Sequence, residues 1–408
     1  MEYGLIGKSL PHSYSKIIHN KIDDYEYELY PMEEDAVEEF MKRADFKGIN
    51  VTIPYKQTVM PYLYEISEAA KSIGSVNTVV NRGGKLCGYN TDYAGFKYMT
   101  DRAGISFEGA KVVILGSGGT SLTAQAVSKD CGARQVVVVS RGGSDNYENL
   151  SRHSDADILI NTTPVGMYPK NGAAPVDIDM FENLSGVIDV IYNPLYTRLI
   201  LDAMQRGIAC TGGLSMLVAQ AVYAYGFFFG KEYDAEITER VLAEMERETA
   251  NLVFVGMPGS GKSTIGQLVA EKLGREFVDT DEYIEKQHNC TITDIFEKYG
   301  ESGFRAMERD TAEIVGKLKG IVISGGGGIV LSDDNYRSLK QNGTVVFVKR
   351  DLDELSTEGR PLSKSREALE QIYEKRIGLY EKWADIMVYN NKTPDEAVGE
   401  ILQLCYKG

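Results

Sequence analysis

Residues 251–264 have the sequence NLVFVGMPGSGKST, a short apolar run that leads directly into a glycine-rich turn. The apolar run is typical of a buried parallel strand, and the turn fits the pattern GxxxxGK[ST] at the start of a helix. In such a loop the backbone N–H groups hold phosphates, the lysine (Lys262) reaches the β- and γ-phosphates, and the following hydroxyl (Ser263) binds Mg²⁺. The stretch therefore predicts a P-loop nucleotide site on a parallel sheet.

A second apolar run meets a glycine-rich turn upstream, at residues 111–120 (KVVILGSGGT). A strand that opens into a helix through GxGG is the setting of a dinucleotide site, although such a turn is often only structural. The next predicted strand is followed by Ser140, Arg141 and Gly142 rather than by an acid. Because an arginine there can pair with a 2′-phosphate, the pattern favours NADP over NAD, unless Arg141 is simply a solvated surface residue.

Short strand-like runs alternate with helical patterns through the first half of the chain, which is typical of an open, doubly wound α/β sheet. Residues 231–250 (KEYDAEITERVLAEMERETA) are rich in helix formers and have Ile237, Val241, Leu242 and Met245 at helical spacing. The second glycine-rich run begins directly after them. We therefore expect two halves joined by a helix with almost no linker.

Composition limits the classes of partner. The 408 residues include 44 Lys+Arg and 59 Asp+Glu, for a formal net charge of -15. A general binder of nucleic acid or anionic membranes needs a basic face, so neither partner is expected. The five cysteines are scattered and show neither disulfide nor zinc-ligand spacing. With no signal-like segment and no long apolar stretch, we expect a cytoplasmic protein.

Residues 1 to about 245 resemble shikimate dehydrogenase. The motifs that match are HSYS, NVTIPYK, SVNTVV, GYNTD, GSGGT, NTTPVGMYP, VIDVIYNP and GGLSMLVAQA, in this order. The resemblance implies a substrate-binding lobe of residues 1–100 and 214–248, and a Rossmann lobe of residues 101–213 that binds NADP(H).

The resemblance also implies roles for individual residues. Lys56 and Asp92 match the catalytic pair, and both also contact substrate. The remaining substrate-binding residues would be Ser13 and Ser15 for the carboxylate, then Thr52, Asn77, Tyr192 and Gln220. The cofactor-binding residues would be Gly116, Ser117, Gly118, Gly119, Thr120, Ser140, Arg141 and Gly213. The turn after the second Rossmann strand has SRG where the family commonly has NRT.

The chemistry of Lys56 and Asp92 can be considered without the family. Hydride reduction of a ketone produces an alkoxide that must be protonated, and a lysine ammonium is a suitable donor. An aspartate nearby would orient the lysine and bind a substrate hydroxyl. The alternative is that Lys56 and Asp92 form only a structural ion pair.

Two carboxylates follow the P-loop, at Asp279 and Asp281. On an extended strand a spacing of two directs both side chains the same way. Asp279 could support Mg²⁺ while Asp281 contacts a hydroxyl-bearing acceptor. Alternatively, Asp281 is the N-cap of a helix that begins near Tyr283.

Residues 251 to about 405 resemble shikimate kinase, through the motifs DTD, FR, GGG, RPL and R…LY in that order. The residues implied to bind shikimate are Asp281, Arg305, Gly326, Gly327, Gly328 and Arg376. Those implied to bind ATP are Gly256, Gly259, Ser260, Gly261, Lys262, Ser263 and Thr264. Ser263 and Asp279 would hold Mg²⁺, and Lys262 and a lid arginine, Arg360, would act on the transferring phosphate.

The predicted lid departs from that family, because residues 352–359 contain no arginine and Gly378 replaces a proline. The expected fold is α/β throughout: a substrate lobe, a Rossmann lobe, and a P-loop kinase domain with a parallel sheet over residues 249–408. The expected function is reduction of 3-dehydroshikimate with NADPH, followed by phosphorylation of shikimate with ATP and Mg²⁺, as a monomer or a homodimer.

Two alternatives remain open from sequence. The chain could be a quinate-preferring dehydrogenase fused to another small-molecule kinase. It could also sense these metabolites without turning them over, although the presence of Lys56, Asp92, Lys262 and Asp279 argues against lost catalysis.

Overall fold

The computed structural model describes residues 2–10, 13–355 and 366–406. The chain divides into two compact units, residues 1–245 and 246–408. This division falls inside a helix, Ala235–Thr249, within the stretch that the sequence predicted to be helical. The sequence-based division at 248/249 falls in the same helix, and the further split of the first unit into two lobes stays a prediction.

The N-terminal unit begins with a mixed six-stranded sheet. Its strands are β1 (Tyr3–Gly7), β2 (Tyr27–Pro31), β3 (Gly48–Val51), β4 (Glu65–Ile66), β5 (Thr78–Arg82) and β6 (Lys85–Tyr89), and its helices are α1 (Ser15–Ile22), α2 (Glu34–Arg43), α3 (Glu68–Ile73) and α4 (Thr91–Arg102). The order is β2-β1-β3-β5-β6-β4, with β1 parallel to β2 and β3, and β5 antiparallel to β3 and β6. The carboxyl ends of β1 and β3 therefore lie side by side.

A second, fully parallel sheet follows in the same unit. Its strands are β7 (Lys111–Leu115), β8 (Gln135–Val139), β9 (Ile158–Asn161), β10 (Gly186–Asp189) and β11 (Ala209–Thr211), joined in part by α5 (Gly119–Asp130) and α6 (Arg198–Gln205). The order is β11-β10-β9-β7-β8. The chain leaves β7 toward β8 on one side and continues to β9 on the other, so the glycine-rich turn after β7 lies at the topological switch point.

The alternating residues of β7 explain why the run is apolar throughout. Val112 and Ile114 pack into one core, and Val113 and Leu115 pack into another on the opposite face. All five residues of β7 are buried, as expected of a central parallel strand covered on both sides.

Two further helices follow: α7 (Leu214–Phe229) lies in the N-terminal unit, and α8 (Ala235–Thr249) begins in it and crosses the division at 245/246. A Cβ on Gly95 of α4 would lie 2.7 Å from the carbonyl oxygen of Met216 in α7, so only glycine permits this close approach. The contact places the N-terminal turn of α4 beside Gln220.

The C-terminal unit is built on one parallel sheet. Its strands are β12 (Asn251–Val255), β13 (Phe277–Asp279), β14 (Val322–Ser324), β15 (Gly343–Lys349) and β16 (Ile386–Tyr389), and its helices are α9 (Lys262–Leu273), α10 (Thr280–His288), α11 (Ile292–Gly316), α12 (Asp333–Lys340), α13 (Arg366–Trp383) and α14 (Pro394–Tyr406). The order is β13-β14-β12-β15-β16, which places the P-loop after the central strand. The α/β fold predicted from the sequence is confirmed.

Helix α11 is interrupted at Gly300, whose φ of 68° and ψ of −176° are not helical. The second segment of α11 presents Arg305 to the carboxyl edge of the sheet, beside the loop after β14. Within the described part of the chain, no helix combines the length and the hydropathy needed to cross a membrane.

Candidate active sites

The predicted catalytic pair of the N-terminal unit is joined by an ion pair. Lys56 Nζ lies 2.6 Å from Asp92 Oδ2, and the two side chains are 18% and 13% exposed. Lys56 follows β3, and its carbonyl accepts a hydrogen bond from Val76 N at 2.9 Å. Asp92 lies in the first turn of α4, where the helix dipole favours a carboxylate. The pair is thus held by two separate elements and is partly open to a ligand.

The serine motif forms the start of α1. Ser13 Oγ donates to Ser15 Oγ at 3.1 Å and accepts from Ser15 N at 3.2 Å. The ring centroids of Tyr14 and Tyr192 lie 5.3 Å apart, and burial raises the pKa of Tyr14 to about 12. The loop after β10 therefore brings Tyr192 to the serine motif. The preceding His12 lies outside the described residues.

Buried amides lie beside the ion pair. Asn77 and Gln220 are 3% and 9% exposed. Asn77 Oδ1 accepts from Thr91 N at 2.7 Å, and Thr91 Oγ1 lies 3.5 Å from Gln220 Oε1. Thr52 lies at the end of β3, with its N–H bonded to Ile6 O at 2.9 Å. The structure thus connects Asn77 and Gln220 through Thr91, the neighbour of Asp92.

The turn after β7 leaves the N-terminus of α5 open. Gly116 has φ 104°, and its N–H bonds to Val139 O at 2.8 Å. Gly118 is the N-cap of α5, and no side chain there bonds to the free N–H groups. A Cβ on Gly118 or Gly119 would meet nothing within 4 Å. With Ser117 exposed between the glycines, the turn has room and donors for a phosphate group.

Arg141 lies just beyond β8, next to Ser140. It is exposed, and within the described residues it makes no hydrogen bond or ion pair. Gly213 is constrained by packing, because its Cβ would lie 2.1 Å from Val190 O. Together with the open turn, the guanidinium fits a dinucleotide that carries a 2′-phosphate.

The P-loop of the C-terminal unit is fixed by its own protein contacts. Gly259 and Gly261 have φ 86° and 87°. A Cβ on Gly256 would lie 2.5 Å from Val348 O. Asn390 Nδ2 donates to Ser260 O at 2.8 Å, a contact that the sequence analysis missed because Asn390 is distant in sequence and has no local motif. The N-cap of α9 again has no side-chain partner, so its N–H groups are available to phosphate.

Ser263 and Asp279 form the predicted Mg²⁺ pair. Ser263 Oγ donates to Asp279 Oδ2 at 2.8 Å and lies 3.0 Å from Ser324 Oγ. No group of three or more His, Cys, Asp or Glu side chains in the described chain could hold a metal. A hydroxyl and a carboxylate nevertheless suit Mg²⁺, which keeps waters and binds substrate phosphates. Thr264, the next residue, is exposed in the first turn of α9.

Asp279 and Asp281 do not share an extended strand, contrary to the expectation from their spacing. The strand ends at Asp279 and α10 begins at Thr280. Asp279 Oδ1 accepts from Asp281 N at 3.0 Å, so Asp279 is the N-cap. The alternative role of Asp281 as an N-cap is therefore wrong, because the helix starts earlier than the sequence indicated.

Asp281 instead lines a cavity of about 390 Å³ beside Lys262, Arg305 and Arg376. Its Oδ1 is buried without a hydrogen-bond partner. Burial, followed by the charge of Asp279, raises the pKa of Asp281 to about 6. The charged groups that line the cavity are two guanidinium groups, the Lys262 ammonium and three carboxyl groups (Asp281, Glu285 and Glu308), and this combination suits a small hydroxylated carboxylic acid.

The glycine run 326–328 shapes this cavity by allowing close contacts. A Cβ on Gly326 would lie 2.5 Å from Asp281 Oδ1, and one on Gly328 would lie 2.4 Å from the Arg305 guanidinium. The carbonyl of Gly327 accepts from Arg376 Nη1 at 2.9 Å. The loop thus leaves room for Asp281 and Arg305 and bonds directly to Arg376.

Glu308 was missed by the sequence analysis. It is 1% exposed and accepts two hydrogen bonds of 2.9 Å from Arg305 Nη1. Burial raises the pKa of Glu308, and the charge of Arg305 opposes that shift. The spacing of three residues from Arg305 on a helix was a signal that could have identified it. The predicted lid residue Arg360 lies outside the described residues.

The chain was compared with known protein families. Residues 5–79 match the family model described as shikimate dehydrogenase substrate binding domain, and residues 258–406 match the model described as shikimate kinase. The first match contains the serine motif and Lys56, and the second contains the cavity of Asp281, Arg305 and Arg376.

Whole relatives match the N-terminal part. The chain is 39% identical over 267 residues to a shikimate dehydrogenase (NADP(+)) of Clostridium beijerinckii, covering 60% of this chain and 98% of the relative. Among solved structures, a chorismate mutase/shikimate 5-dehydrogenase fusion protein from Clostridium acetobutylicum is 36% identical with a TM-score of 0.57, covering 60% of this chain and 96% of that one.

Shikimate 5-dehydrogenase from Thermus thermophilus, solved in complex with NADP(H) and shikimate, is 27% identical with a TM-score of 0.54. The match covers 60% of this chain and 99% of the Thermus thermophilus chain. The chain belongs to the shikimate dehydrogenase family through its N-terminal unit and carries a shikimate kinase domain in its C-terminal unit.

Proposed function

We propose that the chain is a bifunctional enzyme that reduces 3-dehydroshikimate to shikimate and then phosphorylates shikimate to shikimate 3-phosphate. Two features of the one chain support this proposal: the Lys56–Asp92 pair and the charged cavity beside the P-loop. The relatives of the N-terminal unit are named for NADP(+), and the exposed Arg141 just beyond β8 supports binding of a 2′-phosphate. The cofactors are therefore NADP(H) for the first unit, and ATP with Mg²⁺ for the second.

In the N-terminal unit, Ser13 and Ser15 bind the substrate carboxylate at the start of α1, while Thr52, Asn77 and Gln220 bind its ring oxygens. Bound NADPH supplies the hydride. The Lys56 ammonium donates a proton to the ketone oxygen as it becomes negative. Asp92 holds Lys56 in place and accepts a hydrogen bond from a substrate hydroxyl.

On the cofactor side, the N–H groups at the start of α5 contact the phosphates. The residues that meet the cofactor are Gly116, Ser117, Gly118, Gly119, Thr120, Ser140, Arg141 and Gly213. Tyr192 packs on Tyr14 beside the serine motif, where it would contact the substrate.

In the C-terminal unit, Arg305 and Arg376 bind the shikimate carboxylate and Asp281 accepts a hydrogen bond from the reacting hydroxyl. Burial, followed by the charge of Asp279, raises the pKa of Asp281, which suits a carboxylate that accepts the hydroxyl proton. The P-loop residues from Gly256 to Thr264, with Gly259, Ser260, Gly261 and Lys262, hold the ATP phosphates. Ser263 and Asp279 support Mg²⁺. Arg360 is proposed, from the family resemblance, to contact the transferring phosphoryl group.

The two activities can be separated by substitution. Lys56→Ala is expected to abolish NADPH-dependent reduction of 3-dehydroshikimate and to leave the kinase intact, whereas Lys262→Ala does the reverse. Lys97→Ala and Lys286→Ala are matched controls, since both lysines form exposed ion pairs on helices of their units. Wild-type protein that shows neither activity would overturn the proposal.

The remaining features follow from composition and stay predictions. The acidic chain is expected to act in the cytoplasm on small molecules, without nucleic-acid or membrane partners.

A further inference from the structure

A buried chain of hydrogen bonds runs behind the proposed substrate site of the N-terminal unit. It passes from Tyr27 of β2 to Asn50 of β3, then to Thr78 of β5, Asn77 and Thr91 of α4. All five residues are 0–5% exposed. Tyr27, Asn50 and Thr78 have no role in the sequence-based assignment of the site.

Asn50 can take only one amide orientation. Its Nδ2 lies 3.3 Å from the carbonyl oxygen of Asn77, which can only accept, and 3.0 Å from Thr78 Oγ1. Its Oδ1 accepts from the Tyr27 hydroxyl at 2.8 Å. Both amide hydrogens are thereby used, so Asn50 must donate to Thr78.

The hydroxyl of Thr78 passes this direction to Asn77. Since Thr78 Oγ1 receives a proton from Asn50, its own proton is available to Asn77 Oδ1 or to Thr91 Oγ1, which both lie at 3.2 Å. The N–H of Thr91 also donates to Asn77 Oδ1, at 2.7 Å. Both contacts hold the side-chain oxygen of Asn77 toward Thr78 and Thr91. Asn77 Nδ2 donates once to Thr91 Oγ1, at 3.0 Å, and keeps its second N–H.

Gln220 is oriented in the same sense at the end of the chain. Its Nε2 donates to the carbonyl of Leu217 at 2.8 Å, which leaves Oε1 toward Thr91 Oγ1 and one N–H unused within the helix. The direction of donation is therefore fixed from Tyr27 through Asn50 to Thr78. The Thr91 hydroxyl lies 3.3 Å from Asn77 Oδ1 and 3.5 Å from Gln220 Oε1 and can donate to either oxygen.

We infer that Asn50 is a positioning residue, which acts through Thr78 to hold the Asn77 amide so that it presents an N–H donor to a substrate oxygen. Together with Gln220, the site then offers two amide donors, while the Asp92 carboxylate is the acceptor. The substrate oxygens that contact the two amides therefore accept hydrogen bonds, and the substrate hydroxyl at Asp92 donates one. This inference rests on the proposed function of the N-terminal unit.

The test compares isosteric substitutions of buried threonines. Thr78→Val interrupts the chain, and Thr238→Val is the matched control, since Thr238 is also 0% exposed and donates to the carbonyl of Asp234, just before α8. We expect Thr78→Val and Asn50→Leu each to raise KM for 3-dehydroshikimate about tenfold, the size expected for one lost buried hydrogen bond. KM for NADPH and the kinase activity are expected to change less than about twofold.

The double variant distinguishes positioning from general loss of stability. If Asn50 acts through Thr78, the double variant raises KM no further than the more severe single variant. Single variants with KM near that of Thr238→Val, or multiplied effects in the double variant, would overturn the inference while wild-type turnover persists. Wild-type protein without turnover of 3-dehydroshikimate would instead overturn the proposed function, and the inference with it.

Discussion

The two sites proposed to hold shikimate use different chemistry for the same molecule. The N-terminal site surrounds one ion pair, Lys56–Asp92, with neutral amides and hydroxyls that bond to one another. The C-terminal site is built from charges, with Arg305 bonded to the buried Glu308 and Asp281 facing the same cavity. One site depends on the direction of hydrogen bonds, and the other depends on the balance of buried charge.

This difference implies a difference in fragility. A neutral hydrogen bond contributes about 1 kcal/mol net, so its loss weakens a site by a modest factor. A buried charge that loses its partner costs about 3–5 kcal/mol, because the remaining charge is left without compensation. We therefore expect the C-terminal site to be the more sensitive to single isosteric substitutions.

The largest effect is expected for Glu308→Gln. The substitution removes the more deeply buried of the two carboxylates that pair with Arg305, so kcat/KM for shikimate should fall about a hundredfold, equivalent to about 3 kcal/mol. Steady-state kinase kinetics measure this, with the dehydrogenase activity as a reference within the same chain. Glu301→Gln is the control, because Glu301 contacts the same arginine at 3.3 Å but is 57% exposed. Equal losses in the two variants would contradict the importance of burial.

A buried carboxylate in the N-terminal unit tests the same principle through pH. Asp189 is fully buried at the end of β10, and burial raises its pKa to about 6. Since an unfolded aspartate titrates near 3.9, folding favours the protonated form, and this stabilisation is lost as the pH rises from about 4 to about 6. Asp189→Asn should remove about 3 kcal/mol of that pH-dependent loss.

The measurement for Asp189 is urea unfolding between pH 4 and pH 7, followed by circular dichroism. The single tryptophan, Trp383, lies in the C-terminal unit, so its fluorescence reports a transition that Asp189→Asn should leave unchanged. An N-terminal transition with the same pH slope in the wild type and the variant would show that Asp189 does not titrate in this range.

Loss of the uncharged hydrogen bond from Asn390 to the P-loop should have a smaller effect. Asn390 donates to the carbonyl of Ser260, and because the peptide group is planar, the N–H of Gly261 then faces the opposite side, toward the phosphate site. Asn390→Ala should raise KM for Mg-ATP about tenfold and leave KM for shikimate unchanged. Asn342→Ala removes a comparable buried donation, to Gly316 O, away from the loop. A similar rise in that control would mean that KM reports only stability.

The smallest effect is expected for Arg141, the exposed cation that we propose to contact the cofactor in the N-terminal unit. Arg141→Ala should raise KM for NADPH about fivefold and leave KM for NADH unchanged, since solvent screens an exposed charge and only NADPH carries the 2′-phosphate. Dehydrogenase kinetics with both nucleotides test this. Parallel changes for NADPH and NADH would place Arg141 away from the 2′-phosphate.

Local sequence patterns predicted much of the fold and several parts of the sites. The apolar runs at β7 and β12 predicted buried strands that lead into glycine-rich turns. This was possible because continuous apolar residues and glycines are local signals. The helix 235–249 followed from its apolar spacing. The ion pair of Lys56 and Asp92 was anticipated from the family motifs rather than from spacing.

Contacts between distant elements could not be predicted in the same way. Asn390 contacts the P-loop from the end of β16, and Asn50 contacts Thr78 across two antiparallel strands. Asn390 belongs to no local motif, and the motif NVTIPYK, which begins at Asn50, does not reveal the partner of Asn50, since such contacts are fixed only when the sheet forms. The error at Asp281 had a local cause: β13 ends at Asp279, so the spacing rule for strands did not apply.

The most direct test of two consecutive activities in one chain is a single incubation of the wild-type protein with 3-dehydroshikimate, NADPH and Mg-ATP. Shikimate 3-phosphate would be quantified together with oxidised NADPH and consumed ATP. We expect one NADPH and one ATP to be used for each shikimate 3-phosphate formed, with shikimate only as an intermediate. Accumulation of shikimate as the final product, or no oxidation of NADPH, would contradict the proposed function.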